Sequence, residues 1–169
     1  MTDKVLVIGH ARHGKDTFCE MLKERGLSFE SSSEAALEEA IWPLLKGFYK
    51  SKKECFEDRV NHRALWFTLI RYYNTPNKSK LAEVILSKSD VYCGIRNFEE
   101  FEASKHLFKH IVWVGAEKRK PLEGSDSFEL DTVDCNYFID NNGGLDFLEK
   151  QADKFMKKYY GGKLCQDQI

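Results

Sequence analysis

The 169-residue sequence predicts an α/β fold, a three-layer sandwich in which helices cover both faces of a parallel sheet of about five strands. Short apolar runs alternate along the chain with longer segments of helical periodicity, a pattern typical of parallel sheets. The first apolar run also ends at a glycine-rich loop that leads directly into a helix. Length and an apolar content of 42% favour a single domain, residues 1–169.

The strands are predicted from compact apolar runs next to polar or turn residues. These runs are residues 4–8, 27–30, 90–95, 110–114 and 137–139. Because helical segments separate them, the strands are expected to be parallel and buried on both faces.

The helices are predicted from apolar residues three and four positions apart and from capping residues. Ser31 with Glu34, and Asn97 with Glu100, match the capping-box spacing, and Thr75-Pro76 predicts a further helix start. The remaining predictions are a helix from Lys15 to Gly26, a bend at Pro43, one or two helices within residues 53–73, and a last helix with Leu145, Leu148, Ala152, Phe155 and Tyr159 on one side.

Composition excludes several classes of protein. The 26 basic and 27 acidic residues nearly cancel, so any contact with DNA must be local. Five widely spaced cysteines without a CxxC pair indicate reduced thiols. No apolar run approaches the ~20 residues that a membrane helix needs, and no signal peptide is evident, so a cytoplasmic location is expected.

Residues 9–17 fit the Walker A pattern G-x-x-x-x-G-K in its required context, after a strand and opening a helix. Glycines permit a tight nest of backbone N–H groups around phosphate oxygens, and Lys15 adds a full charge at the β- and γ-phosphates. A glycine turn with a chance lysine is the alternative. The candidate ATP-binding residues are Gly9, His10, Ala11, Arg12, His13, Gly14, Lys15, Asp16 and Thr17.

The loop departs from the usual pattern at Asp16, which stands where a hydroxyl normally holds Mg²⁺. Either Asp16 or the hydroxyl of Thr17 can serve the metal. Asp16 can instead accept a proton from an alcohol, or simply favour the helix N-terminus. Arg12 or His13 can touch phosphate, or face solvent without a role.

Other P-loop classes fit poorly. A GTPase needs an N-K-x-D motif, which is missing, and residues 140–143 match D-x-x-G only by chance. The acidic pair and longer chain of motor ATPases are also missing. A small-molecule kinase remains.

The chain resembles the nucleoside monophosphate kinase superfamily, because residues 91–96 look like its strand and D-G-F-P-R element, with Cys93 at the metal-associated aspartate. Residues 9–17, 31–34, 59–63 and 137–143 are similar to phage 5-hydroxymethyluracil DNA kinases. That resemblance implies ATP-dependent phosphorylation of the hydroxymethyl group of 5-hydroxymethyl-deoxyuridine in phage DNA, a step in thymidine hypermodification in the infected host. The alternatives are a phage-type deoxynucleoside monophosphate (dNMP) kinase and a non-catalytic nucleotide-binding module.

Acceptor-binding residues are expected in a helical insertion, about residues 34–88. Arg59 and Arg63 are four residues apart, so they are predicted to share a helix face with aromatic neighbours. Asn61 and His62 can hydrogen-bond a base edge. The alternative for this cluster is a solvated charged face.

Three further residues complete the predicted site. Arg96, at the end of a strand, is expected to bind the acceptor, or else to form a structural ion pair. Arg119 lies in a predicted lid, about residues 116–128, and can stabilise the transferring phosphoryl group. Glu34 or Asp16 is the candidate base, although the capping box already explains Glu34. A loose tail is expected at about residues 161–169.

Two lysine-rich patches with interleaved aromatics are candidate contacts for a DNA backbone, or plain solvated surface. The sequence leaves oligomeric state open. The patches comprise Lys46, Lys50, Lys52 and Lys53 with Phe48 and Tyr49, and Lys154, Lys157 and Lys158 with Tyr159 and Tyr160.

Overall fold

A computed structural model describes residues 2–124 and 128–161. Five parallel strands form one sheet in the order β2-β3-β1-β4-β5, which confirms the predicted fold class. The strands are β1 Val5–Ile8, β2 Phe29–Ser31, β3 Val91–Cys93, β4 His110–Gly115 and β5 Tyr137–Asp140.

Helices cover both faces of this sheet, as predicted. A π turn, Leu37–Ile41, joins α2 to α3, and two short 3₁₀ turns occupy Lys105–Leu107 and Thr132–Asp134. The α-helices are α1 Lys15–Glu24, α2 Ser32–Ala36, α3 Trp42–Leu45, α4 Lys52–Asp58, α5 Arg63–Tyr73, α6 Lys80–Lys88, α7 Phe98–Ser104 and α8 Leu145–Tyr160.

Strand β1 explains why its sequence is a continuous apolar run. Val5 and Val7 pack into a core formed with α1 and α8, whereas Leu6 and Ile8 point into a second core beneath α2, α6 and α7. All four side chains are fully buried. Because successive strand residues face opposite sides, a strand covered on both faces needs apolar residues at every position.

The segment between β2 and β3 has its own small core, built from the π turn, α4 and α5. Two helices, α4 and α5, occupy residues 52–58 and 63–73, where the sequence predicted one or two helices within residues 53–73. The core side chains are Leu37, Ala40, Ile41, Cys55 and Trp66.

The predicted capping boxes are only partly confirmed. Ser31 is the N-cap residue of α2, but its side chain makes no capping hydrogen bond, so the predicted box with Glu34 is wrong. Asn97 Oδ1 does accept the N–H of Glu100, at 3.1 Å. The Glu100 carboxylate instead accepts the hydroxyl of buried Tyr92, at 2.8 Å.

The prediction that a helix starts at Thr75-Pro76 is wrong, because α6 begins at Lys80. Asn77 Oδ1 accepts both the N–H and the hydroxyl of Ser79, and Asn74 Oδ1 accepts the N–H of Leu81. These asparagine side chains organise the turn and satisfy the first helical N–H groups, so the helix starts after them.

Two smaller expectations at helix starts have mixed outcomes. Pro43 lies in the first turn of α3, where the missing N–H needs no partner, and the π turn directly precedes that helix. Leu145 was predicted on the apolar side of α8 but is 67% exposed, because it stands at the first position of the helix. Leu148, Ala152 and Phe155 are fully buried, as predicted.

The described cysteines, Cys19, Cys55, Cys93 and Cys135, are free thiols, as expected. Over residues 2–124 and 128–161, no helix has the length and apolar character required to cross a membrane. Part of the predicted lid and all but the first residue of the predicted tail lie outside the described residues.

Candidate phosphate-binding site

The phosphate loop, residues 9–17, follows the central strand β1 at the edge where all five strands end. Gly9 and Gly14 have φ angles of +142° and +93°, conformations that favour glycine. A Cβ at Gly9 would lie 2.4 Å from the carbonyl oxygen of Val114, and one at Gly14 would lie 2.2 Å from Nδ2 of Asn141. Both glycines are therefore required by close approaches as well as by backbone conformation.

Lys15 opens α1 and folds back over the loop. Its Nζ donates a hydrogen bond to the carbonyl oxygen of His10 at 2.8 Å, and the side chain is largely buried. Burial lowers the pKa of Lys15, and the nearby positive charge of Arg96 adds to this effect. A buried cation is thus held at the mouth of the loop.

His13 is not the solvent-facing loop residue that the sequence suggested. It is fully buried, its Nδ1 accepts the N–H of Ala116 at 3.0 Å, and its Nε2 lies 3.2 Å from the carbonyl oxygen of Pro121. Because a backbone N–H can only donate, Nδ1 carries no proton and Nε2 donates to Pro121. Both ring nitrogens are engaged within the protein, and a contact between this residue and phosphate stays a prediction.

His10 has a similar role on the other side of the loop. Its Nδ1 accepts the N–H of Glu123 at 3.1 Å, and its ring packs against Trp113 and Phe128. Burial lowers the pKa of His10, with a smaller contribution from His13, which favours the neutral, accepting ring. The two loop histidines therefore attach the loop to residues 116–124, which belong to the predicted lid and are called the lid segment below.

Glu123 is a site residue that the sequence did not predict. Its Oε2 accepts the backbone N–H of Ala11, and its Oε1 accepts a hydrogen bond from Arg96, both at 2.5 Å. Burial opposes ionisation, but the hydrogen bond and charge of Arg96, the N–H of Ala11 and the charge of Lys15 outweigh it and lower the pKa of Glu123. A carboxylate is thus bound to the phosphate loop. No motif marks this position in the sequence.

Arg96 lies just beyond the end of β3, at the edge of the sheet where it was predicted. Its side chain is 40% exposed and pairs with Glu123. Its role in binding an acceptor stays a prediction, but its guanidinium group does face the phosphate loop through that carboxylate.

Asp16 and Thr17 are both exposed in the first turn of α1. The thiol of Cys93 donates to Asp16 Oδ1 at 3.6 Å, so Cys93 does lie beside the loop carboxylate. Burial, with a smaller contribution from a hydrogen bond to Cys93, raises the pKa of Cys19. Within the described parts of the chain, no cluster of three metal-ligating side chains occurs. One carboxylate and one hydroxyl nevertheless fit Mg²⁺, which takes its other ligands from phosphates and water.

A cavity of about 350 Å³ opens beside the loop, and Arg119 lines it with Arg12 and Thr17. Arg119 Nε donates to the carbonyl oxygen of Asn141 at 2.5 Å. Asn141 was not predicted as a site residue, yet its buried Nδ2 donates to the carbonyl oxygen of His13 at 2.9 Å. Asn141, directly after β5, therefore supports the loop and binds the side chain of the predicted lid arginine, Arg119.

The predicted acceptor cluster is arranged differently from expectation. Arg59 and Arg63 do not share a helix, because α4 ends at Asp58 and α5 begins at Arg63. Arg59 lies over the Phe56 ring, at 3.8 Å from its centre. Asn61 donates to Asp58 Oδ1 at 2.7 Å, and His62 Nε2 lies 3.1 Å from Asp58 Oδ2.

These contacts hold the turn between α4 and α5, and among the described residues no hydrogen bond or ion pair joins the cluster to the phosphate loop. Glu34 is exposed in the first turn of α2. That turn begins close to the end of β3, since a Cβ at Gly94 would meet the Ser32 hydroxyl at 2.8 Å. The roles predicted for these residues stay predictions.

The two lysine patches differ in their surroundings. In the first, Lys52 pairs with Glu38 and Lys53 with Glu57, whereas Lys46 and Lys50 are exposed and have no ion pair with a described residue. The second patch is in the C-terminal half of α8 and includes Tyr160, whose hydroxyl donates to the carbonyl oxygen of Asp3 before β1. That patch is therefore at the opposite edge of the sheet from the phosphate loop.

No protein-family model and no curated protein matches the chain. Among solved structures, the TT1252 protein from Thermus thermophilus matches with a TM-score of 0.54 at 11% identity, over 94% of this chain and 98% of that one. A sugar kinase from Janibacter sp. HTCC2649 matches with a TM-score of 0.48 at 13% identity, over 96% of each chain. At these identities the likeness concerns the fold alone.

Proposed function

We propose that this protein is a P-loop phosphotransferase that uses ATP as the donor. One observation carries the proposal: the phosphate loop, with its two constrained glycines and buried Lys15, already holds an anionic oxygen at the N–H of Ala11. A site that binds a carboxylate through a backbone N–H and a neighbouring cation has the chemistry to bind phosphate.

The surrounding side chains support defined roles in this reaction. Backbone N–H groups of the loop and Lys15 bind the β- and γ-phosphates, and the cavity beside Arg12 and Arg119 accommodates the nucleoside. Either Asp16 or the hydroxyl of Thr17 would hold Mg²⁺, which neutralises phosphate charge, and this role falls to Thr17 if Asp16 is the base. Arg119 and Arg96 supply further positive charge to the transferring group.

The acceptor that we rank first is the hydroxymethyl group of 5-hydroxymethyl-deoxyuridine in DNA. The resemblance of residues 9–17, 31–34, 59–63 and 137–143 supports it, and so does Asp16, an exposed carboxylate on the loop itself. The acceptor oxygen bonds to the γ-phosphorus, the bond to the β-phosphate oxygen breaks to release ADP, and the carboxylate takes the hydroxyl proton. Glu34 is the second candidate for that base.

A free deoxynucleoside monophosphate is the second acceptor candidate. Arg96 favours it, because a phosphate acceptor is already nucleophilic and mainly needs a cation to position it. The sheet edge next to Arg96 then has to accommodate a charged nucleotide rather than a base in DNA.

Transfer of γ-labelled phosphate separates these acceptors. The protein is incubated with labelled ATP and either a duplex containing 5-hydroxymethyluracil or a mixture of dNMPs. We expect label in the duplex, and label found only in nucleoside diphosphates would overturn the first acceptor.

Lys15→Ala tests the phosphotransfer itself, with Lys23→Ala, an exposed lysine of α1, as the matched control. Lys15→Ala should abolish phosphate transfer and leave the circular dichroism spectrum unchanged, whereas Lys23→Ala should retain phosphate transfer. A wild-type protein that binds ATP without transferring phosphate to either acceptor would favour a non-catalytic module.

A further inference from the structure

Glu123 makes contact with both sides of the proposed reaction. One carboxylate oxygen accepts the N–H of Ala11 in the phosphate loop, and the other accepts a hydrogen bond from Arg96 beyond β3. The side chain is only 13% exposed. A single carboxylate thus accepts a hydrogen bond from a donor-side N–H and pairs with an acceptor-side cation.

The lid segment holds this carboxylate in place through attachments at several points. Its backbone is bound to the loop through His13, which contacts Ala116 and Pro121, and through His10, which accepts the N–H of Glu123 itself. Further along the same edge, the N–H of Lys118 donates to Asn142 Oδ1 at 2.9 Å. The segment that carries the carboxylate is therefore attached to the loop at several points.

The position of the Glu123 carboxylate relative to the loop indicates which phosphate of a bound nucleotide it would meet. Ala11 lies directly after His10, whose carbonyl oxygen binds Nζ of Lys15. The carboxylate thus lies near enough to the Lys15 ammonium group to feel its charge, and its other oxygen extends toward Arg96 on the acceptor side. The transferable phosphate has to occupy this space between donor and acceptor.

We propose that Glu123 is a tethered competitor of the terminal phosphate of the nucleotide. This inference rests on the proposed function. A triphosphate has to displace the carboxylate from Ala11 and Arg96 before transfer, whereas a diphosphate binds without displacing it. Displacement frees Arg96 at the moment when the donor is in place, so acceptor binding is coupled to donor binding.

Isothermal titration of ATP and of ADP with Mg²⁺ tests this competition in Glu123→Gln, which keeps the side chain's shape and removes its charge. Loss of a charge-assisted competitor should tighten ATP binding about tenfold and leave the affinity for ADP within about twofold. Glu117→Gln is the matched control, an exposed carboxylate in the same segment whose contact is with Trp113, and it should change neither affinity.

Each alternative outcome is distinct. If the wild type and Glu123→Gln bind ATP equally tightly, or if ATP binding weakens, the competition is overturned while the proposed function stands. If neither protein binds ATP or ADP, both the competition and the proposed function are overturned. If thermal melting shows that Glu123→Gln is not folded, Glu123→Asp is used instead, because it keeps the charge but shortens the side chain. The ATP affinity of Glu123→Asp should still exceed that of the wild type.

Discussion

At the scale of single residues, the phosphate loop depends on Gly14 more than the Walker A pattern alone would require. The pattern predicts glycine for its conformational freedom, but the structure adds a close neighbour, Asn141, that leaves no room for a Cβ. The asparagine also holds the carbonyl oxygen of His13. Gly14 and Asn141 thus form one support for the loop.

Gly14→Ala should therefore destabilise the protein, by about 1–3 kcal/mol, because it combines a positive φ with a Cβ 2.2 Å from the Asn141 amide. Urea unfolding followed by circular dichroism measures this change. Gly47→Ala is the control, since a Cβ there meets nothing within 4 Å. Equal unfolding midpoints for the two variants would contradict the role given to Asn141.

Glu100 is a buried carboxyl that the proposed chemistry does not use. Burial raises its pKa to about 7, although the hydroxyl of Tyr92 partly opposes the shift. The folded protein therefore holds this proton more tightly than the unfolded chain, whose carboxyl has a pKa near 4.5. The stabilisation is complete below pH 4.5 and is lost as the pH rises through 7.

Glu100→Gln should remove this pH dependence. The free energy of unfolding of the wild type should fall between pH 5 and pH 8 by on the order of 3 kcal/mol more than that of the variant, as measured by urea unfolding at each pH. Glu102→Gln, an exposed carboxylate of the same helix paired with Lys105, is the control and should keep the wild-type slope. A wild-type slope in Glu100→Gln would mean that other groups cause it.

At the scale of elements, the loop histidines connect two segments that are far apart in sequence. His13 binds the lid segment at Ala116 and Pro121, more than 100 residues away. His13→Ala leaves a buried N–H and a carbonyl oxygen without these partners, which costs about 1–3 kcal/mol locally. The attachment of the lid segment should therefore weaken before the sheet does.

Hydrogen exchange measures this weakening. In His13→Ala the amide of Ala116 should exchange at least about tenfold faster than in the wild type, while amides of β1 keep their rates. His106→Ala, an exposed histidine after α7, is the control. An unchanged rate at Ala116 would show that other contacts hold the segment.

The sequence predicted the features that neighbouring residues determine, and it missed the contacts between residues far apart in the chain. All five strands and the strand, loop, helix order around residues 9–17 follow from short patterns of apolar residues and glycines. Glu123 and Asn141 could not be predicted, because their contacts with Ala11 and His13 span 112 and 128 residues. The two loop histidines were visible in the sequence, but the orientation of their rings depends on contacts with the lid segment.

Helix boundaries were also hard to predict from the sequence, although the residues that set them are only a few positions away. Thr75-Pro76 has the composition of a helix start, yet Asn74 and Asn77 bind the N–H groups of Leu81 and Ser79, and the helix begins later. Periodicity also cannot detect that Arg59 lies in a turn between α4 and α5. At Asn74 and Asn77, side chains that bind backbone N–H groups decide where the helix begins.

At the scale of the whole molecule, balanced charge makes any DNA contact local. The formal net charge is −1, so the protein has no general attraction for a polyanion. Within the described ranges, Lys46 and Lys50 between α3 and α4 are exposed without an ion pair, whereas Lys157 lies at the opposite edge of the sheet from the phosphate loop. The first patch is therefore the better candidate for a contact with the DNA backbone.

If the acceptor is a base in DNA, transfer to the duplex should weaken with salt, because each phosphate contact releases counterions. With two such contacts, the rate at subsaturating duplex and saturating ATP should fall on the order of tenfold between about 50 and 200 mM KCl. Lys50→Glu should lower that rate further and reduce the salt dependence, whereas Lys157→Glu should behave as the wild type. Equal losses in the two variants would mean that charge acts generally, and a rate insensitive to salt would favour a free nucleotide as the acceptor.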